Sequence, residues 1–102
     1  MYIYLSLILF GLFILVYKIN EYLKYKEIIE NYPNGKVKLK EEYYQTKGEK
    51  ILHGNSTKYY ENGNLKEGFQ YKMGVKHGIQ KFYDENGNLQ KQEVYKSGVK
   101  IG

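Results

Sequence analysis

Three Asn-Gly pairs, Asn34-Gly35, Asn62-Gly63 and Asn86-Gly87, punctuate the chain, and each is followed by the same arrangement of side chains. An aliphatic residue stands two positions after each glycine (Val37, Leu65, Leu89), and a tyrosine stands eight positions after it (Tyr43, Tyr71, Tyr95). The second and third copies superpose without gaps at a period of 24, so that His53-Gly54 returns as His77-Gly78 and Tyr59 as Tyr83. Self-similarity at such a period marks a repeat architecture, in which each unit buries its surface only against its neighbours. Arrays of this kind serve as scaffolds and binding surfaces more often than as catalysts.

The residues around each Asn-Gly specify strands. Between Asn64 and Tyr71 the odd positions are mainly apolar and the even ones polar or small, the period of a strand with one covered face. An Asn-Gly between two alternating stretches predicts a two-residue hairpin turn whose central residues both take positive φ. A further turn is expected at Lys72-Met73-Gly74-Val75. The chain from residue 32 to 102 therefore reads as a single-layer antiparallel β-meander of stacked hairpins, about two and a half repeats long. Its first copy, four residues longer, would place an extended loop around Gln45 to Ile51. Stacking lines up Tyr43, Tyr71 and Tyr95 in one column and Tyr59 with Tyr83 in another. Alternation would put Leu65, Phe69, Tyr71, Ile79 and Tyr83 on one face. These tyrosines, with the sheet edge near Gly102, form the candidate binding surface, since tyrosine is enriched at interface hot spots and an open edge accepts a partner's strand.

The N-terminal part is different. Residues 1–17 carry no charge, and eleven of the residues from Ile3 to Val16 are Leu, Ile, Phe or Val. They supply roughly −3 to −7 kcal/mol towards insertion into a bilayer. Neither a basic leader nor a small-residue cleavage site accompanies them, so residues 1–19 read as a transmembrane anchor that stays attached, not as a cleaved signal. Lys18, Lys24 and Lys26 follow the apolar run and none precedes it, which orients the C-terminal domain towards the cytoplasm in a single-pass membrane protein. Ile19, Tyr22, Leu23, Ile29 and Tyr32 recur at helical spacing up to Pro33, which predicts an amphipathic stalk helix over residues 20–31.

Tyr59-Tyr60-Glu61-Asn62-Gly63-Asn64-Leu65-Lys66, followed by Tyr71-Lys72-Met73-Gly74-Val75-Lys76-His77-Gly78, resembles the bacterial variant of the MORN repeat. The resemblance covers about Tyr32 to Gly102. It implies an elongated one-layered sheet and a role in protein–protein or protein–lipid interaction. Similar bacterial proteins are grouped as YwqK-type antitoxins, which implies neutralisation of a partner toxin by binding it.

Nothing in the residues calls for chemistry. His53 and His77 are the only histidines; both precede a repeat glycine, and Ile101 takes their place in the last copy. Glu41, Glu67 and Glu93 do not share one repeat register, and no glycine motif resembles a phosphate loop. An enzyme, a metal site and a cofactor are not expected. All sixteen basic residues are lysine, and the net charge is +5. Without arginine's bidentate fork, nucleic-acid recognition is disfavoured. A protein partner is expected first, and anionic lipid beside the anchor second.

Overall fold

The computed structural model describes residues 8–15 and 23–102. From Lys24 onward the chain forms one antiparallel sheet of eight strands. In chain order these are β1 (Lys24–Asn31), β2 (Val37–Thr46), β3 (Glu49–Tyr59), β4 (Leu65–Lys72), β5 (Val75–Lys76), β6 (Gly78–Tyr83), β7 (Leu89–Lys96) and β8 (Val99–Lys100). Neighbours in the sheet run β1-β2-β3-β4-β6-β7-β8, with β5 paired to β4. The meander expected from the repeat is therefore present.

It begins earlier than the sequence reading placed it. Lys24–Asn31, assigned above to the stalk helix, is the strand β1, paired with β2 from Lys24 opposite Gln45 to Asn31 opposite Val37. The first Asn-Gly turn needs a strand on each side, and the paired backbone of β2 outweighs the helical spacing of a few apolar side chains. Residues 20–22 of that stalk lie outside the described residues. Counting β1–β2, the sheet holds three Asn-Gly hairpins.

The anchor is also corrected. Residues 8–15 are helical, but eight residues rise only ~12 Å against a hydrocarbon core of about 30 Å. Among the described residues no helix is long and apolar enough to cross a membrane, which overturns the single-pass assignment and the orientation built on it. Residues 1–7 and 16–19 of the expected anchor lie outside the described residues.

The Asn-Gly turns differ from the expected two-residue form. Only the glycines are left-handed, with φ of 87° at Gly35, 94° at Gly63 and 90° at Gly87. Gly63 N donates to Tyr60 O at 2.9 Å and Tyr60 N to Asn64 O at 2.8 Å, and the same pair of bonds closes the other two turns. This is a three-residue loop ending in a left-handed glycine. In the second turn Asn62 Oδ1 accepts from Asn64 N at 2.9 Å while Nδ2 reaches the next repeat, and in the third Asp84 Oδ1 accepts from Asn86 N and Asn88 N, both at 2.9 Å. Two-residue turns with both residues left-handed occur at Met73-Gly74 (47° and 89°) and Ser97-Gly98 (50° and 86°). The extra residues of the first copy do not make a loop. Thr46 stays opposite Glu49 across Lys47-Gly48, so the insertion lengthens β2 and β3 to 10 and 11 residues.

Among the described residues no apolar side chain is buried. The four buried residues, Thr46, Ser56, Gln80 and Glu93, are all polar. A single layer has no second layer to exclude water, so cohesion falls to backbone ladders, cross-strand pairs and side chains that bond backbone. Gln80 is the clearest case. Where β5 is interposed and β4 separates from β6, its Oε1 accepts from Gln70 N at 2.9 Å and its Nε2 donates to Gln70 O at 3.2 Å. Full burial is tolerable there because its amide is bonded at both ends.

Candidate interaction face

Directly opposed residues in a sheet project to one face, so the register sorts the side chains. Glu41 opposes Ser56, Ser56 opposes Phe69, Glu67 opposes Phe82, Phe82 opposes Lys91, and Tyr71 opposes Lys76. One face therefore collects Tyr43, Phe69, Tyr71, Phe82 and Tyr95, all half-buried. Phe69 and Phe82 meet edge to face with centroids 5.2 Å apart.

The column Tyr43, Tyr71, Tyr95 thus lies on one face. Ile79 and Tyr83 do not continue that face as alternation suggested. Lys81 opposes Gly68, so Ile79 and Lys81 point to the other side, where they line a hollow with Tyr83. A register shift between Lys58 and Tyr59 moves Leu65 as well: a Cβ on Gly68 would meet Leu65 Cδ2 at 3.8 Å. Tyr59 and Tyr83 stand beyond such shifts, opposite Leu65 and Leu89 beside the turns.

Lysines lie over the rings of the aromatic face. Lys50 Nζ is 5.5 Å from the Tyr43 centroid, Lys91 5.0 Å from Phe82, and Lys76 4.9 Å from Phe69 and 5.1 Å from Tyr95. Such contacts contribute about 0.5–1 kcal/mol where exposed. The same face carries ion pairs: Lys50 with Glu41 at 3.2 Å, Lys58 with Glu67 at 3.7 Å, and Glu93 with Lys91 at 2.8 Å and Lys100 at 3.4 Å. The two signs sit at different depths. The glutamates are 14%, 23% and 10% exposed, whereas their lysines are 44% to 59% exposed. Negative charge is sunk into the sheet and positive charge stands above it.

The carboxyl of Glu93 is held down to about 2 by the hydrogen bond from Lys91 first, with Tyr95 and the charge of Lys100 adding, against the opposing effect of burial. Tyr95 donates to Glu93 Oε2 at 3.1 Å, and that bond pushes its phenol up. Burial first, then Glu41 and Glu67, push the Tyr71 phenol up. Both phenols are therefore hydrogen-bond donors at neutral pH.

The histidines brace turns. His53 Nδ1 accepts from Met73 N at 3.0 Å and His77 Nδ1 from Ser97 N at 3.2 Å, so each imidazole holds the first left-handed residue of a two-residue turn. The turn asparagines and the tyrosines before them link repeats. Asn34 Nδ2 donates to Glu61 O and Asn62 Nδ2 to Glu85 O, both at 2.9 Å. Tyr32 OH donates to Tyr59 O at 2.6 Å and Tyr60 OH to Tyr83 O at 2.7 Å. Sequence reasoning missed Lys76, Lys91 and Glu93 as members of the aromatic face. The alternation of Lys91, Glu93 and Tyr95 along β7 was the available signal.

Residues 52–73 and 76–97 each match the family model of the MORN repeat variant. Those segments coincide with the β3–β4 and β6–β7 hairpins, and β1–β2 repeats their geometry outside the matched residues. MORN repeats are often modules of protein or membrane interaction. No curated protein and no solved structure matches the chain.

Proposed function

We propose that the repeat sheet is a protein-binding module whose aromatic face takes an acidic protein surface, acting as an inhibitor of the antitoxin or immunity kind that neutralises its partner by covering it. The observation that carries this reading is the difference in depth of charge on that face: glutamates sunk to 10–23% exposure and lysines raised to 44–59% around half-buried tyrosine and phenylalanine rings. Aromatic rings give contact area at small entropic cost, and the lysine fringe steers an acidic partner and fixes its orientation. The absence of arginine favours a protein over a nucleic acid, because no planar fork is present to read phosphates or base edges.

The test compares the wild-type protein with Tyr71→Ala and Tyr95→Ala as baits for cell extract, anionic vesicles and nucleic acid, at low and high salt. The expected result is capture of a protein that both substitutions abolish and high salt weakens, with the β-signal in circular dichroism retained. Undiminished capture by folded variants, or binding confined to vesicles or nucleic acid, contradicts the proposal.

A further inference from the structure

The pairing between repeats follows one register. Leu39 of β2 stands opposite Lys58 of β3, and Glu67 of β4 stands opposite Phe82 of β6. Leu39 and Glu67 are both four residues after a turn glycine, and Lys58 and Phe82 are both five residues before one. The molecule thus contains its own template for joining one repeat to the next.

Two strands hold positions of this kind without a partner among the described residues. Among the described residues nothing pairs with the outer edge of β7 from Leu89 to Glu93: β8 pairs with Tyr95 and Lys96, and Ile101 and Gly102 bond the backbone of Val94. Among the described residues no strand pairs with the outer edge of β1. By repeat position β7 is the counterpart of β2 and β4, and β1 is the counterpart of β6. The position four after Gly87 is Lys91, and the position five before Gly35 is Glu30.

We propose that these two edges join between copies of this chain, so that β7 of one copy pairs with β1 of the next in the register already used inside the molecule. Lys91 then stands opposite Glu30, and Gln92 opposite Ile29. Opposite charges directly across a strand pair are favourable, and both residues are exposed in the isolated chain. The turn asparagine adds a second element: Asn34 and Asn62 each donate to the next repeat, and Asn86 would donate in the same way to Pro33 O of the second copy. The tyrosine bond of the internal junctions is missing here, because Asp84 stands where Tyr32 and Tyr60 stand. The junction between copies is therefore weaker than those within the chain, and association depends on concentration. Because the contact is head-to-tail and leaves the same two edges free at the ends, it builds linear chains and not a closed dimer.

Sedimentation velocity over a concentration series of the full chain tests this. Non-ionic detergent present throughout keeps the exposed Phe10 and Phe13 from driving association of their own. Wild type should give a ladder of species that grows with concentration. Lys91→Glu and Glu30→Lys should each sediment as a monomer, and an equimolar mixture of the two should restore the ladder, since every junction then pairs opposite charges. The double variant Glu30→Lys/Lys91→Glu carries the pair reversed and should associate like wild type, and Glu30→Lys, which leaves the Lys91–Glu93 pair intact, keeps the test decisive if Lys91→Glu folds poorly. A monomer at every concentration overturns the proposal. So does a larger species that Lys91→Glu leaves intact, as two β1 edges facing each other would produce.

Discussion

Glu93 shows at the scale of one residue how a sheet without an apolar core holds a buried charge. Its side chain is only 10% exposed, and its carboxylate accepts from Lys91 and Tyr95 while facing Lys100. Those partners lower its proton affinity from 4.5 to about 2, the Lys91 hydrogen bond most of all. The folded carboxyl thus loses its proton at a lower pH than the unfolded one. The stabilisation is complete above the unfolded value and is lost as pH falls through the folded one. Thermal midpoints measured between pH 5 and pH 2 should fall for the wild type and fall less for Glu93→Gln, with the two curves converging at the acid end. Parallel curves would mean that Glu93 is not the group so held. Because its lysine partners are more than half exposed, added salt should shrink the difference.

At the scale of the element, each hairpin is tied to the next by a small set of side-chain-to-backbone bonds that recur with the repeat. Tyr60→Phe removes one of them, the 2.7 Å bond from its hydroxyl to Tyr83 O, and keeps the ring. A single such bond contributes about 1 kcal/mol, which for a domain this size lowers the thermal midpoint by about 4–8 °C. An unchanged midpoint would remove the tyrosine bond from the account of how repeats are joined. These bonds are also where the sequence was least legible. The Asn-Gly pairs announced turns but not their form, because the asparagine's reach to a carbonyl in the next repeat, such as Asn62 to Glu85, is a contact between distant residues. His53 and His77 were recognisable as repeat positions. Their partners, Met73 and Ser97, lie 20 residues further on and become visible only when the hairpins are stacked. The phase of the faces was lost for a related reason. Register shifts such as those at Lys58/Tyr59 and Phe82/Tyr83 break strict alternation, and nothing local in the sequence marks them.

Across the whole molecule the repeat was the legible feature, and it carried the meander, the stacking and the column Tyr43, Tyr71, Tyr95. What it did not carry was the extent of the array. Residues 24–31 hold only Tyr25, Ile28 and Ile29 as apolar side chains, too few for either a helical or a strand period to decide. A short segment without a clear period is decided by what it pairs with, here the long strand β2. The first Asn-Gly turn was the signal that a strand had to precede it. The central claim is that Lys24 to Lys100 forms one continuous antiparallel sheet built on three equivalent Asn-Gly hairpins with no apolar core. Nuclear Overhauser contacts across the first hairpin test it most directly, because that hairpin lies outside the segments matching the repeat family. The account predicts cross-strand contacts linking Ile28 with Glu41 and Lys26 with Tyr43, together with slowed amide exchange on the inward-bonded residues of β1. Sequential contacts of helical type through residues 24–31, without any to residues 41–43, would contradict it.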